Sequence, residues 1–309
     1  VAIAAETEQA AQDIIGLVEV DLEPLPFCVD PLASLKPKGP HALSTGNVAG
    51  RKIEHKAFHW TGKDFAKAGE DRLPLGEAVV DWSFGDVDAA FKASKVVVEE
   101  NIVHASNSHH AMEPRSAAAY WEGGKCHVWG STQSTSFAQP GLAKLIGISP
   151  MDLVFVAEYC GGGFGGKATS YPLMALPALM SKKMGGRPCL IRVSRAEEYY
   201  NGYARGGFQA WAKLGFDAKG KILAADVYVV QDLGNTSGFW DFNNVGSSVA
   251  IVFQPKNMRF RAVPVLTNTV PKGAQRGPGE NQASNMLEPL LDKAARELGI
   301  DRVELRKIN

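Results

Sequence analysis

Three segments of this sequence carry residue types that can do chemistry together. The first is Cys160-Gly-Gly-Gly-Phe-Gly-Gly-Lys167, which follows a short apolar strand pattern and precedes a helical pattern that opens near Thr169. Five glycines around one Phe let the backbone approach a ligand closely, and amides at a helix start attract an anion. The segment reads as an anion or cofactor cradle, with a flexible glycine linker as the plain alternative. It is not a P-loop, because Ala168 stands where that pattern needs Ser or Thr. Nor is it a dinucleotide fingerprint, because no acidic residue closes a βαβ unit at the right distance. The second segment, Gly130-Ser-Thr-Gln-Ser-Thr135, offers several hydroxyls and one carboxamide in a turn. Its hydroxyls can cap the next helix, and Gln133 taken alone reads as a satisfied surface glutamine. The third, Lys272-Gly-Ala-Gln-Arg-Gly-Pro-Gly-Glu-Asn-Gln282, is a glycine-rich loop before a long amphipathic helix, and its Arg276 either binds an anion or pairs locally.

Those segments need elements to hold them. Residues 1–22 read as strand, helix, strand: Val1 to Ala5, Glu6 to Gly16, then Leu17 to Leu22 in alternation. A Pro-, Gly- and Lys-containing stretch with little periodicity follows, the composition of a connection between domains. Asp86 is placed to cap a short helix through Ala93, before the β-rich run Val96 to Val103. Further strands are expected at Ala117 to Trp121, His127 to Gly130, Leu153 to Ala157, Leu190 to Val193, Gly207 to Leu214 and Ile222 to Gln231. Helices are expected at Phe137 to Ile146, Thr169 to Met184 and Gln282 to Leu298. Helices and strands mix without strict βαβ alternation, so the fold class is α+β rather than a doubly wound sheet.

Composition closes off other classes. The chain has 309 residues, 45% of them hydrophobic, with 33 basic residues against 33 acidic. That balance suggests a globular chain with a real core and no electrostatic footprint for nucleic acid or an anionic membrane. The longest apolar stretch, near Pro172 to Met180, is too short to span a bilayer. Cys28, Cys126, Cys160 and Cys189 lie far apart with no C-x-x-C pair, which argues against an iron–sulfur cluster or structural zinc held by this chain. Cys160 is expected to be a small buried packing residue. With Val1 opening inside a strand pattern and no initiator Met, the sequence reads as cut from a longer protein, whose location is expected to be cytoplasmic.

Taken together and in order, these segments resemble the molybdopterin-binding subunit or domain of the xanthine dehydrogenase and aldehyde oxidase family, the molybdenum hydroxylases. His110-Ala-Met-Glu-Pro114, Ser131-Thr-Gln133, Gly161-Gly-Gly-Phe-Gly-Gly-Lys167, Arg276-Gly-Pro-Gly279 and the ending Leu298 to Asn309 are all similar to family motifs, and the likeness covers essentially the whole chain. The opening resembles the end of that family's α/β hammerhead domain. The resemblance implies residues 1–45 as the C-terminal part of that domain, 46–77 as a connecting segment and 78–309 as the first half of a molybdopterin-binding domain.

The resemblance further implies a molybdenum-molybdopterin cofactor, expected in its cytosine dinucleotide form, whose metal is held through the pterin dithiolene and has no direct protein ligand. Gln133, Phe164 and Arg276 would be the catalytic residues, and Gln133, Gly162, Gly163, Phe164, Gly165, Arg276 and Gly277 would bind the cofactor: Gln133 would hydrogen-bond an oxygen on molybdenum, the backbone around Gly163 and Phe164 would approach the apical side, and Arg276 would lie in the loop beside the equatorial ligands. Water would be the oxygen source for hydroxylating a small molecule, with electrons leaving to iron–sulfur clusters and FAD on partner subunits. The general base would come from a second molybdopterin-binding half, so Glu113 and Glu280 are weak substitutes for it, and Glu113 before a proline reads as structural. In purine-oxidising members a glutamate follows the glycine-loop lysine, an arginine aligns near Asn244 and an aromatic aligns at Pro278. Ala168, Asn244 and Pro278 depart from all three, which points away from xanthine and toward an aldehyde or a heteroaromatic compound. The loop at 271–282 also lacks the cysteine of the carbon monoxide branch. Two readings from other classes compete: a non-catalytic assembly module that has lost the metal, and a nucleotide-binding protein using the glycine loop as a phosphate site.

Overall fold

The computed structural model describes residues 1–50, 53–236 and 239–309. Its strands, in chain order, are β1 Val48–Gly50, β2 Ile53–Lys56, β3 Val80–Phe84, β4 Val96–His104, β5 Ser116–Glu122, β6 Lys125–Gly130, β7 Leu153–Val156, β8 Cys189–Arg192, β9 Phe208–Phe216, β10 Ile222–Asp232 and β11 Asn257–Val265. Contacts group the chain into two compact units, each built from two stretches: Val1–Leu25 with His109–Gly202, and Pro26–Ser108 with Tyr203–Asn309.

The first unit holds a four-stranded sheet in the order β7-β6-β5-β8. Ala117, Ala119, Cys126 and Val128 alternate along β5 and β6 to face one side, as period-two geometry requires, and there they meet Leu142, Ala143, Met174, Ala175 and Ala178 of two helices. Those helices are Thr135–Ile146, stopped by Gly147 in the left-handed conformation, and Pro172–Lys183, opened by a proline at its first turn. The small alanines let the helices lie close on the sheet. The glycine segment is the crossing between β7 and the second helix.

The second unit is organised by β10. Its apolar run is buried along nearly its whole length and separates two cores. Ala225, Val227 and Val229 belong to one, with Met286, Leu287, Leu290 and Leu291 of helix Glu280–Leu298; Tyr228 and Val230 belong to the other, with Leu35, Trp60 and Val263. The helix buries residues at the 3.6-residue repeat and ends on left-handed Gly299. The sheet order is β2-β1-β11-β10-β9-β4, with β3 also on β11. Among the described strands, β10 with β11 and β6 with β7 run parallel and the other pairs antiparallel, so the fold mixes helices with largely antiparallel sheets.

The structure departs from the sequence reading in several places. Residues 1–22 form a helix, Glu8–Ile15, capped by Thr7, with no strand on either side. Alternation is not enough to make a strand where none of the described residues pairs with it. Within 46–77, expected as a connection, lie β1, β2 and the helix Gly62–Ala68, with Trp60 buried; Arg51 and Lys52 fall outside the described residues. The strand β11 and the helix Asp241–Ser248 are additions to the expected elements. Among the described residues no helix is long and apolar enough to cross a membrane.

Candidate functional site

The glycine segment is tied down along most of its length by side chains from elsewhere in its unit. Gly161 exchanges two bonds with one residue: its amide donates to Glu113 Oε2 (2.7 Å), and its carbonyl accepts from the Glu113 amide (3.1 Å). The Gly165 amide donates to Gln133 Oε1 (2.8 Å), and the Gly166 carbonyl accepts from Arg115. The Lys167 carbonyl accepts from the Gln133 amide (3.0 Å) and from Thr132 Oγ1 (2.8 Å). What this leaves over is the middle. The amides of Gly162, Gly163 and Phe164 have no acceptor among the described residues. Successive free amides in a turn form an anion-binding concavity. Gly163 is buried against Gln133, and a Cβ there would collide with the carboxamide oxygen. Phe164 sits at φ +52° with its ring half exposed, a backbone conformation that bulky residues rarely adopt and that only surrounding structure maintains.

Beneath the loop lies a buried cation. Lys167 is 1% exposed, and its ammonium donates to the Glu113 carbonyl (2.7 Å), Glu113 Oε2 (3.0 Å) and Ser131 Oγ (2.9 Å), satisfying all three of its protons. Ser131 Oγ in turn donates to Glu113 Oε2 (2.6 Å). Burial works to raise the Glu113 pKa, but Ser131, the Gly161 amide and Lys167 together hold it below its ordinary value. Glu113 thus anchors the loop, in keeping with its place before a proline. A second buried pair, Arg115 with Glu198, supports the far side of the loop.

Three local expectations are corrected. Cys160 is exposed rather than buried, with its sulfur 3.4 Å from Ser131 Oγ, because the chain turns outward where β7 ends. The helix after the loop begins at Pro172, not near Thr169, so the cradle is made by loop amides rather than by a helix terminus. The hydroxyls at 131–135 do not cap their helix: Ser134, at the N-cap position, makes no side-chain cap, and Thr132 Oγ1 instead accepts from the Ser134 amide and donates to the Lys167 carbonyl.

The structure therefore brings Gln133, Gly162, Gly163, Phe164 and Gly165 into one cluster of the first unit. Gln133 is exposed, with Oε1 committed to Gly165 and Nε2 unused among the described residues. Arg276 and Gly277 lie in the second unit, on the loop before helix Glu280–Leu298, with the Arg276 side chain exposed. Asn244 Nδ2 donates to the Pro278 carbonyl (2.7 Å), linking two of the positions where the sequence departs from purine-oxidising patterns. Three residues of this region escape sequence reasoning: Arg205, Asp241 and Gln282, all buried. Arg205 reaches Gln275, Arg276 and Gln282 across 70 residues or more and Asp241 meets Gln282 across 41, so no local pattern marks those pairings; among these bonds only the one from the Gly279 amide to Gln282 Oε1 is local, a capping arrangement at the start of the helix. Among the described residues no group of three or more His, Cys, Asp and Glu side chains converges to hold a metal ion.

With a fold of this architecture and a loop that leaves its own amides free, comparison with known proteins places the chain. It belongs to the molybdopterin cofactor-binding domain family, which residues 72–309 match. It is 31% identical over its full length to a probable xanthine dehydrogenase subunit from Bacillus subtilis, of which it spans 38%. Its fold is similar to that of an aldehyde oxidoreductase from Desulfovibrio gigas (TM-score 0.79, 25% identity, covering 98% of this chain and 30% of that one). It is equally similar to quinoline 2-oxidoreductase from Pseudomonas putida (TM-score 0.79, 26% identity, 99% and 36%).

Proposed function

We propose that this chain forms part of the cofactor-binding portion of a molybdenum hydroxylase, an oxidoreductase that hydroxylates an aldehyde or heteroaromatic substrate with oxygen drawn from water. The observation that carries the reading is the set of neutral donors the glycine loop leaves over, the amides at 162–164 and Gln133 Nε2, in a chain of the molybdopterin cofactor-binding family. Such donors fit an anionic, oxygen-rich group: they orient oxygens without cancelling their charge. When bound, molybdenum-molybdopterin, in its cytosine dinucleotide form, supplies the two-electron redox chemistry. Gln133 donates from Nε2 while Oε1 stays fixed to Gly165, so its orientation is set before a ligand arrives. Gly163 admits the close approach, Phe164 contributes a free amide beside it, and Arg276, beside Gly277, adds one positive charge. The general base, the iron–sulfur clusters and the FAD belong to partners: a second molybdopterin-binding half, an iron–sulfur subunit and a flavin subunit, assembled in the cytoplasm.

The same reading takes residues 1–45 as the end of a hammerhead-like α/β domain, supported by the exposed apolar residues Leu17, Val20, Leu22, Leu25 and Phe27, which need a covering surface. It takes 78–309 as the first molybdopterin-binding half. Molybdenum and iron analysis of the complex purified natively tests the function. Near-stoichiometric molybdenum with iron, and oxidation of aldehydes or heteroaromatics in a substrate screen, are expected; a matured complex containing neither metal would leave the binding-module reading in its place.

A further inference from the structure

The loop that carries Arg276 cannot hold its own shape. Gly273, Gly277 and Gly279 punctuate it, and Gly277 and Gly279 sit at φ +70° and +96°. A chain of this composition loses much conformational entropy when fixed, so something outside the loop must fix it.

We infer that Arg205 is the positioning residue that moulds this loop. Its guanidinium, in a residue 6% exposed, uses its fork of donors almost entirely on the loop. Nε donates to Gln275 Oε1 (2.7 Å), Nη2 to the Arg276 carbonyl (2.8 Å), and Nη1 to the Gly277 carbonyl (3.1 Å) and to Gln282 Oε1 (3.3 Å). The two carbonyls it holds flank the peptide bond after Arg276. Arg205 is itself anchored through its backbone, with its amide on the Asn107 carbonyl (2.8 Å) and its carbonyl accepting from Ser106 Oγ (2.8 Å). Behind it, Gln282 receives both Nη1 and the Gly279 amide (2.9 Å) on one oxygen and donates to Asp241 Oδ2 (2.9 Å). One planar, five-donor cation therefore reads three consecutive residues of the loop and the start of the helix that follows. A lysine, with a single point of charge and no fork, cannot reproduce this. That Arg276 contacts a cofactor rests on the reading above; the moulding of its loop by Arg205 does not.

The Arg276–Gly277 bond is itself a trypsin site on an exposed side chain, which gives a direct readout in the unliganded protein. Cleavage there is followed by mass spectrometry against cleavage after Lys219, in the remote Asp217–Gly220 turn. Arg205→Lys should speed the cut after Arg276 by at least about 10-fold, the factor expected from losing even one charge-assisted hydrogen bond, with the Lys219 rate unchanged. Gln275→Ala removes one charge-assisted acceptor of Arg205, together with the Gln275 Nε2 bond to the Ser108 carbonyl (3.1 Å), and no core atom, and should speed it by about 10-fold on the same scale. In the metal-loaded complex, Arg205→Lys should lower kcat while KM for the substrate stays within about twofold, since the loop is read as facing cofactor rather than substrate. If Arg205→Lys folds and neither variant alters the ratio of the two cuts, the assignment is overturned. It is equally overturned by an unaltered ratio in Gln275→Ala should Arg205→Lys fail to fold. A complex without molybdenum would defeat the functional reading and leave the protease result standing.

Discussion

Asp241 offers the sharpest test of the second unit's physics. Its side chain is 1% exposed, and Oδ1 has no hydrogen-bond partner among the described residues. Burial pushes its pKa from the ordinary 3.8 up to about 7, against the pull of Gln282 and the Arg205 charge and with a further push from Glu280. The folded state therefore holds this proton more tightly than the unfolded chain does. The stabilisation this gives is fully present below about pH 4 and is lost as pH rises through about 7. A gap of about three pH units at about 1.4 kcal/mol each is on the order of 4 kcal/mol by pH 9. Asp241→Asn keeps an acceptor for Gln282 Nε2 and cannot ionise. Its amide nitrogen, placed where Oδ1 lacks a partner, will cost about 1 to 2 kcal/mol, but equally at every pH. The signature is thus a slope and not a level. Urea unfolding of both proteins from about pH 4 to about pH 9, followed by tryptophan fluorescence, should show the variant gaining on the wild type by on the order of 4 kcal/mol across that window, because the difference removes every other titrating group. A difference curve flat to within about 1 kcal/mol would show that Asp241 is solvated or paired in the folded state, and the buried Asp241–Gln282–Arg205 chain would have to be abandoned.

Other perturbations separate the parts of the glycine-loop site. Gly163→Val should drive the loop away from Gln133 and lower the molybdenum content of the assembled complex; unchanged content would count against the cradle. Gln133→Ala should lower kcat by about 100-fold with molybdenum still bound, the usual loss for one preorganised donor, and full turnover would remove Gln133 from the site. Lys167→Met strands the Glu113 carboxylate and should destabilise the protein by about 3 kcal/mol in thermal unfolding. Adding Glu113→Gln should recover part of that loss, whereas a double variant no better than the single one would mean the pair is not coupled.

What can be read in the sequence follows from the range of the forces involved. The helices at 135–146, 172–183 and 280–298 and the strands at 116–122, 208–216 and 222–232 are legible because burial imposes a repeat of 3.6 or 2 on neighbouring residues. β11 carries the same signal, with Met258, Phe260 and Ala262 buried between Arg259 and Arg261, both of which pair with Asp226 on β10. It is hidden by the two arginines, whose charges read as surface until their partner strand is known. At the N terminus the difference runs the other way, since alternation at 17–22 describes a strand only if some other strand accepts it. The candidate site divides along the same line. Its backbone half, the glycines and Gln133, lies in two short motifs and is visible by composition. Its supporting half is not: Lys167 meets Glu113 across 54 residues, Arg205 meets Arg276 across 71, and Gln282 meets Asp241 across 41. Buried polar groups must be satisfied, but nothing local dictates by whom. The pairings that make a flexible glycine loop into a fixed donor array are therefore what only the folded chain reveals, and the residues in them are the ones whose substitution should separate loss of the site's shape from loss of its chemistry.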